Sequence, residues 1–291
     1  MSRRLAATLF ALVLVSASIP GTGAAATAVT TANVVFHYAD VAEAARFYRE
    51  QLGLVPVETR EGAVVLEIAP GARLTLADQA AAGHTDATPR TAALALVTDD
   101  VEHWWEALSE RDLEFRSRFT AKPDRAHDGF VLVDPGGWFL EFERFHPHRE
   151  NEALLPRLAA TATRPVDAGA AGLPAGLGFR ATILWLYYRD LPRAERFHRD
   201  TLGFAPVVDQ GWARILALGS ASYLGLVDGA RGMHPWTEEK AVALELRGPG
   251  LADLARGGDA PPGAGDGTGV RDPGGHVLRL LDANAAEGGS P

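Results

Sequence analysis

The chain states one pattern twice. Tyr38-Ala39-Asp40, Ala45-Arg46-Phe47-Tyr48-Arg49-Glu50, Leu52-Gly53 and Val55-Pro56-Val57 return as Tyr188-Arg189-Asp190, Glu195-Arg196-Phe197-His198-Arg199-Asp200, Leu202-Gly203 and Ala205-Pro206-Val207. Asp40 recurs as Asp190 and Pro56 as Pro206, an offset of 150 in both cases, and each copy closes on Asp-Pro-Gly-Gly, at 134–137 and 272–275. The chain is therefore a duplicated module. With 291 residues, 47% of them hydrophobic, it has room for a full core in one or two domains.

Within the first copy a short strand spans Asn33 to Tyr38. Asp40 then caps a helix to about Gln51, with Glu43 completing a capping box and Gly53 ending the helix. Strands follow at Ala63–Ile68, Arg73–Ala77 and, after a small-residue loop at 79–91, Ala92–Thr98. Asp100 caps a second helix through Glu110, and strands are expected at Glu114–Thr120, Gly129–Val133 and Trp138–Phe142. The second copy repeats this order from Thr182, but Asp134 recurs as Asp272, an offset of 138, so 12 residues are missing from its latter half. That stretch, Gly248 to Gly269, is rich in Gly, Ala and Pro and reads as a loop. The expected fold class is α+β: two tandem βαβββ-type modules, the second trimmed, with curved sheets around a cavity and helices outside.

The N-terminus reads as an export signal, with Arg3 and Arg4 before an apolar run from Leu5 to Ile19 and a small-residue cleavage region at 24–28. Cleavage is expected after Ala26 or Ala28. Ser2-Arg3-Arg4 carries only part of a twin-arginine motif, which favours the Sec route to the periplasm or medium. The expected division is a signal peptide at 1–28, module one at 29–145, a linker at 146–178, module two at 179–284 and a tail at 285–291. The net charge of −9 and two isolated lysines, Lys122 and Lys240, argue against nucleic acid. No later segment is apolar enough to span a membrane. Without cysteine, neither disulfides nor thiolate ligands are available.

The strand ending in Asp, the Ala-x-x-Phe-Tyr-x-x-x-Leu-Gly helix and Asp-Pro-x-Gly before a last strand, each present twice, resemble the vicinal oxygen chelate superfamily, the glyoxalase, bleomycin-resistance and extradiol-dioxygenase fold. The resemblance covers residues 33–143 and 182–282. It implies a small-molecule cavity, and in metal-using members a His, Gln or Glu on the first strand, a His on the fourth and a Glu on the last, holding Zn, Fe, Mn or Ni. Counting from the motifs places Asn33 and Ile183 at the first position, Ala93 and Ala241 at the fourth, and Glu141 and Arg279 at the last. The usual ligand set is incomplete, so no cofactor is the first expectation. Strand alternation puts His37 on the face of Asn33, and Glu143 on that of Glu141, so a displaced metal site at His37, Glu141 and Glu143 is the alternative. Turn and packing roles are expected for His276 and His198.

The same parity lines the cavity with Asn33, His37, Arg73, Thr75, Glu141 and Glu143 from one half and Trp185, Tyr187, Tyr223, Glu245 and Arg279 from the other. Aromatic faces and buried cations suit a planar or anionic organic ligand. The competing reading has Trp185 and Tyr187 simply filling space. The function expected first is an exported protein that binds such a molecule. The alternative is an enzyme: a metal-dependent lyase, isomerase or dioxygenase, or a metal-independent catalyst with His37 or Glu141 as the acid–base group. A filled cavity would instead mark a structural module. Fused modules need no dimer to complete a cavity, so monomer and dimer both stay open.

Overall fold

The structure, a computed structural model, describes residues 29–255 and 269–283. The leader at 1–28, the tail at 285–291 and most of the Gly-rich stretch lie outside the described residues. Copy one runs β1 (Thr31–Tyr38), α1 (Val41–Leu52), β2 (Pro56–Arg60), β3 (Ala63–Ala69), β4 (Ala72–Asp78), β5 (Ala92–Val97), α2 (Val101–Ser109), β6 (Phe115–Ser117), β7 (His127–Val133) and β8 (Phe139–Phe145). The connection holds α3 (Leu155–Ala160), β9 (Arg164–Pro165), α4 (Ala168–Ala171) and β10 (Gly178–Phe179). Copy two comprises β11 (Ala181–Tyr188), α5 (Leu191–Arg196), a π turn over Phe197–Thr201, β12 (Ala205–Asp209), β13 (Ala213–Ala217), β14 (Ser222–Asp228), β15 (Val242–Arg247), α6 (Leu251–Ala255), β16 (Gly269–Arg271) and β17 (Val277–Leu281).

Local signals work largely as the sequence predicts. Asp40 accepts the Glu43 N–H at 2.8 Å, and Gly53 closes α1 at φ 64°. Asp100 is a correction: it stands at the N-cap of α2 without a side-chain cap bond and lies 3.6 Å from His103 instead. β2 and β12 were not foreseen, because these half-exposed strands show little apolar alternation. With β2 counted, the first unit ends at β4, and Ala92–Val97 opens the second. The strand foreseen at Glu114–Thr120 shortens to Phe115–Ser117.

Strand pairing crosses the copies. A seven-stranded sheet runs β16-β17-β15-β1-β4-β3-β2, and an eight-stranded sheet runs β12-β13-β14-β11-β5-β8-β7-β6. The first half of copy one thus joins the second half of copy two across the antiparallel β1–β15 seam. The two middle halves join across β5–β11. Val34, Phe36 and Tyr38 of β1, and Leu184, Leu186 and Tyr188 of β11, share the large core with Trp104 and Leu108 of α2. Each such aliphatic or aromatic side chain contributes roughly 1.5–3 kcal/mol by leaving water. Ile183, Trp185 and Tyr187 point the other way, into a second cluster with Ala93, Ala95, Tyr223 and Phe145.

The repeated residues hold the sheets together. Asp134 Oδ1 accepts the N–H groups of Gly136 and Trp138, while its Oδ2 accepts the hydroxyls of Tyr38 at 2.6 Å and Tyr48 at 2.8 Å. Tyr38 belongs to the seven-stranded sheet and the Asp134 turn to the other. Asp272 does the same in reverse, accepting from the Tyr188 hydroxyl at 2.6 Å and lying 3.3 Å from His198 Nε2 and His276 Nδ1.

Candidate functional site

Register decides which side chains can meet. In the seven-stranded sheet Asn33 lies opposite Arg73 and Glu245, and Glu245 opposite Arg279. In the eight-stranded sheet Ile183 lies opposite Tyr223 and Ala95, and Ala95 opposite Glu141. The fourth-strand positions are therefore Ala95 and Glu245, rather than Ala93 and Ala241. Counting from helix caps missed this offset, which the pairing sets.

The first station is closed by its own side chains. Asn33 Nδ2 donates to Glu245 Oε2 at 3.0 Å, Thr75 Oγ1 donates to Asn33 Oδ1 at 2.9 Å, and Arg279 bonds Glu245 Oε1 at 3.4 Å. The guanidinium supplies the positive charge beside this carboxylate. Arg73 borders a crevice of only about 20 Å³ there.

The second station is open. Glu141 and Glu143 line a cavity of about 200 Å³ whose walls are Phe145, Trp185, Tyr187 and Met233. At His127, Gln210 and Trp212 this cavity continues into a trough of about 530 Å³ that reaches Lys122, Arg125 and His148. Gly225 makes the wall: a Cβ there would fall 1.9 Å from the Trp185 ring. Tyr223, 1% exposed, is walled in beneath.

Charge in the cavity is displaced from ordinary values. Burial, and then the neighbouring Glu143 carboxylate, push the Glu141 carboxyl up to about 8. His127 Nδ1 sits 2.8 Å from Glu143 Oε1, and that bond lifts the imidazole to about 9. At neutral pH the site thus holds a protonated acid beside an ion pair. Burial raises the Tyr187 phenol, with Glu141 adding to the effect.

His37 is elsewhere. It lies on β1, donating from Nδ1 to the Ala241 carbonyl at 2.7 Å with its ring 4.7 Å from that of His84, and burial lowers its pKa. The grouping of His37 with Glu141 and Glu143 is accordingly not formed, since the two carboxylates stand on β8 of the other sheet. The single cavity foreseen from both halves is likewise divided. Asn33, Arg73, Thr75, Glu245 and Arg279 go to one sheet, and Glu141, Glu143, Trp185, Tyr187 and Tyr223 to the other. Among the described residues no three His, Asp or Glu side chains converge to hold a metal ion. At the register positions of the two stations, Asn33, Glu245 and Arg279 in one and Ile183, Ala95 and Glu141 in the other, the residues do not make a ligand set, and in the second station His127 is bonded to Glu143 instead.

Sequence reading missed His127, Gln210, Trp212 and Met233. His127 was within reach: counting two residues at a time back from Val131 gives the face of Glu143, had the strand been begun at 127. Trp212 lies on the turn of the unforeseen β12–β13 hairpin.

Residues 31–142 match the family model described as the Glyoxalase/Bleomycin resistance protein/Dioxygenase superfamily. The match lies within the first copy. Among solved structures it is similar to glyoxalase I from Zea mays, with 15% identity over 86% of this chain and 90% of that one and a TM-score of 0.56. A putative dioxygenase from Bacillus subtilis gives 13% identity, 89% and 87% coverage and a TM-score of 0.58. At such identities the superfamily likeness extends over both copies as fold alone. No curated protein matches the sequence significantly.

Proposed function

We propose that this chain is an exported protein that binds a small planar organic molecule in the eight-stranded sheet, without a metal. One observation carries the reading: one metal station is closed by Asn33, Glu245 and Arg279, while its counterpart keeps an aromatic-walled cavity around Glu141. The superfamily match supports a small-molecule site, and members often use divalent metals, so metal content is the discriminating measurement. After dialysis against Fe, Zn, Mn and Ni in turn, mass spectrometry is expected to find no ion held stoichiometrically, while a planar ligand quenches tryptophan fluorescence through Trp185 and Trp212. One retained ion per chain would overturn the metal-free part. Export rests on Arg3, Arg4 and the Leu5–Ile19 run, and N-terminal sequencing of the mature protein tests it.

The protonated Glu141 beside His127 and Glu143 favours a second reading, acid–base catalysis without a metal. Glu141→Gln separates the two: under catalysis it abolishes turnover and leaves binding, whereas simple binding shows no turnover in the parent.

A further inference from the structure

The cations that suggested an anionic ligand, Arg73 and Arg279, belong to the closed station. Others gather where copy two ends. Beside the turn at 272–275 lies a pocket of about 570 Å³, lined by Arg193 of α5, Phe197, Trp236 and Glu238 of the β14–β15 connection, and Arg271 of β16. Trp236 is held in place there. Its Nε1 donates to the Gly274 carbonyl at 3.3 Å, the Arg189 guanidinium lies 3.7 Å from its ring centroid and Lys240 Nζ 4.6 Å.

None of these four cations is matched by a carboxylate in contact. Among the described residues Arg189, Arg193, Lys240 and Arg271 form no ion pair, and Lys240 and Arg271 donate to the Thr237 and Gly275 carbonyls instead. The acids beside them are Asp190, Glu238 and Asp272. Asp190 accepts the Arg193 N–H at 2.9 Å, and Asp272 is buried with its oxygens taken by the Gly274 and His276 N–H groups and the Tyr188 hydroxyl. Of the other acids on these loops, Asp228 accepts the Ala230 N–H and Glu239 the Thr88 hydroxyl. Exposed Glu238 is thus the one carboxylate of the pocket left to face Arg193 and Arg271, on a chain whose net charge is −9.

Copy one supplies the comparison. Its equivalent pocket, about 430 Å³ beside the turn at 134–137, is lined by Asp40, Glu43, Asp86 and Arg90. At the repeat offsets Ala39 stands where copy two has Arg189, Glu43 where it has Arg193, Asp86 where it has Trp236 and Val133 where it has Arg271. Arg90, the counterpart of Lys240, is bonded to the Gly136 and Thr88 carbonyls and to Gln79. One backbone frame carries an acidic pocket and a basic one, so the turn itself does not require the cations of copy two.

We infer that the copy-two pocket is a second binding site, for a small aromatic carboxylate: the carboxylate on the Arg193 and Arg271 guanidiniums, the ring against Phe197 and Trp236. Forked N–H groups match the two oxygens of a carboxylate, and the aromatic side chains offer its ring an apolar wall. The site shares no lining residue with the Glu141 cavity, so it stands or falls independently of the function proposed for that cavity.

The test is calorimetric titration of the full chain at about pH 7.5 and low ionic strength with benzoate, benzamide and benzamidine, one ring shape carrying a negative, a neutral and a positive group. Benzoate is expected to bind at least about tenfold more tightly than benzamide, with benzamidine weakest, and to lose affinity as salt is raised. The double variant Arg193→Glu, Arg271→Val gives copy two the residues of copy one at two exposed positions. It is expected to cut benzoate affinity at least about tenfold, while Arg46→Glu, an exposed charge reversal on α1, leaves it unchanged. Benzoate bound no more tightly than benzamide overturns the inference, as does no benzoate binding at millimolar concentration. Affinity undiminished in the double variant overturns it too, by placing the anion elsewhere on the chain. An equal loss in Arg46→Glu does the same, since net charge alone would then govern binding.

Discussion

Glu141 and His127 keep protons that the unfolded chain would release. Glu141 titrates at about 8 in the fold against an ordinary 4.5, and His127 at about 9 against 6.5. In each interval the native state binds more protons than the unfolded one, so stability is fullest below the ordinary values and falls as pH rises through the raised ones. The thermal midpoint of the parent, measured relative to that of the Glu141→Gln, His127→Gln double variant, is expected to decline from about pH 5 to about pH 9. Taking the difference cancels His37, His84, His234 and His276, which burial shifts the other way. Glu143→Gln removes the partner that lifts both groups and should flatten the alkaline part of that decline. A difference that grows with pH over the same range would contradict the assignment. A second residue-scale prediction concerns Gly225, where a methyl would meet the Trp185 ring at 1.9 Å. Gly225→Ala is expected to cost about 1–3 kcal/mol in denaturant unfolding, by overpacking, and to blunt ligand quenching of fluorescence. Wild-type stability in that variant would mean that the wall yields.

At the scale of elements, the β1–β15–β17 ladder closes on its own side chains. Asn33, Glu245 and Arg279 stand level on adjacent strands, and the Arg279 guanidinium supplies the cation. The double substitution Asn33→His, Arg279→Glu replaces the amide by an imidazole and the guanidinium by a carboxylate beside Glu245, a donor set suited to zinc. The variant is expected to retain zinc through dialysis where the parent retains less, as read by mass spectrometry. Equal retention would show that this ladder is not the relic of a ligand set. The tyrosine–aspartate joints belong to the same scale. Tyr38, Tyr48 and Asp134 were visible as repeated letters, yet their hydrogen bonds, which tie a strand of one sheet to a turn of the other, were not. Sequence records identity, and partnership needs proximity.

At the scale of the molecule, neither copy owns a sheet. Residues 29–145 alone would leave β1 without β15 and β5 without β11, two open seams of complementary pattern. Because the copies share one plan, the isolated first copy is expected to sediment as a dimer in which β1 of one chain pairs with β5 of another. A stable monomer of that fragment would show that the seams are dispensable. Among the described residues no helix is long and apolar enough to cross a membrane.

The sequence by itself determined the duplication, the faces of β1, β8 and β11, the helix that begins at Asp40 and ends at Gly53, and the membership of Glu141, Trp185 and Tyr187 in a cavity wall. These are local facts, set by periodicity, capping and turn chemistry, which act within a few residues. Only the tertiary structure decided that Glu245 meets Asn33 and Arg279, that Glu141 and Glu143 stand apart from His37, and that His127 completes the open station. Strands pair through backbone groups that are the same in every residue, so β1 had two suitable partners, β5 and β15. The choice between them rests on how the whole chain packs, and that choice placed one carboxylate beside an arginine and left the other facing an aromatic-walled cavity.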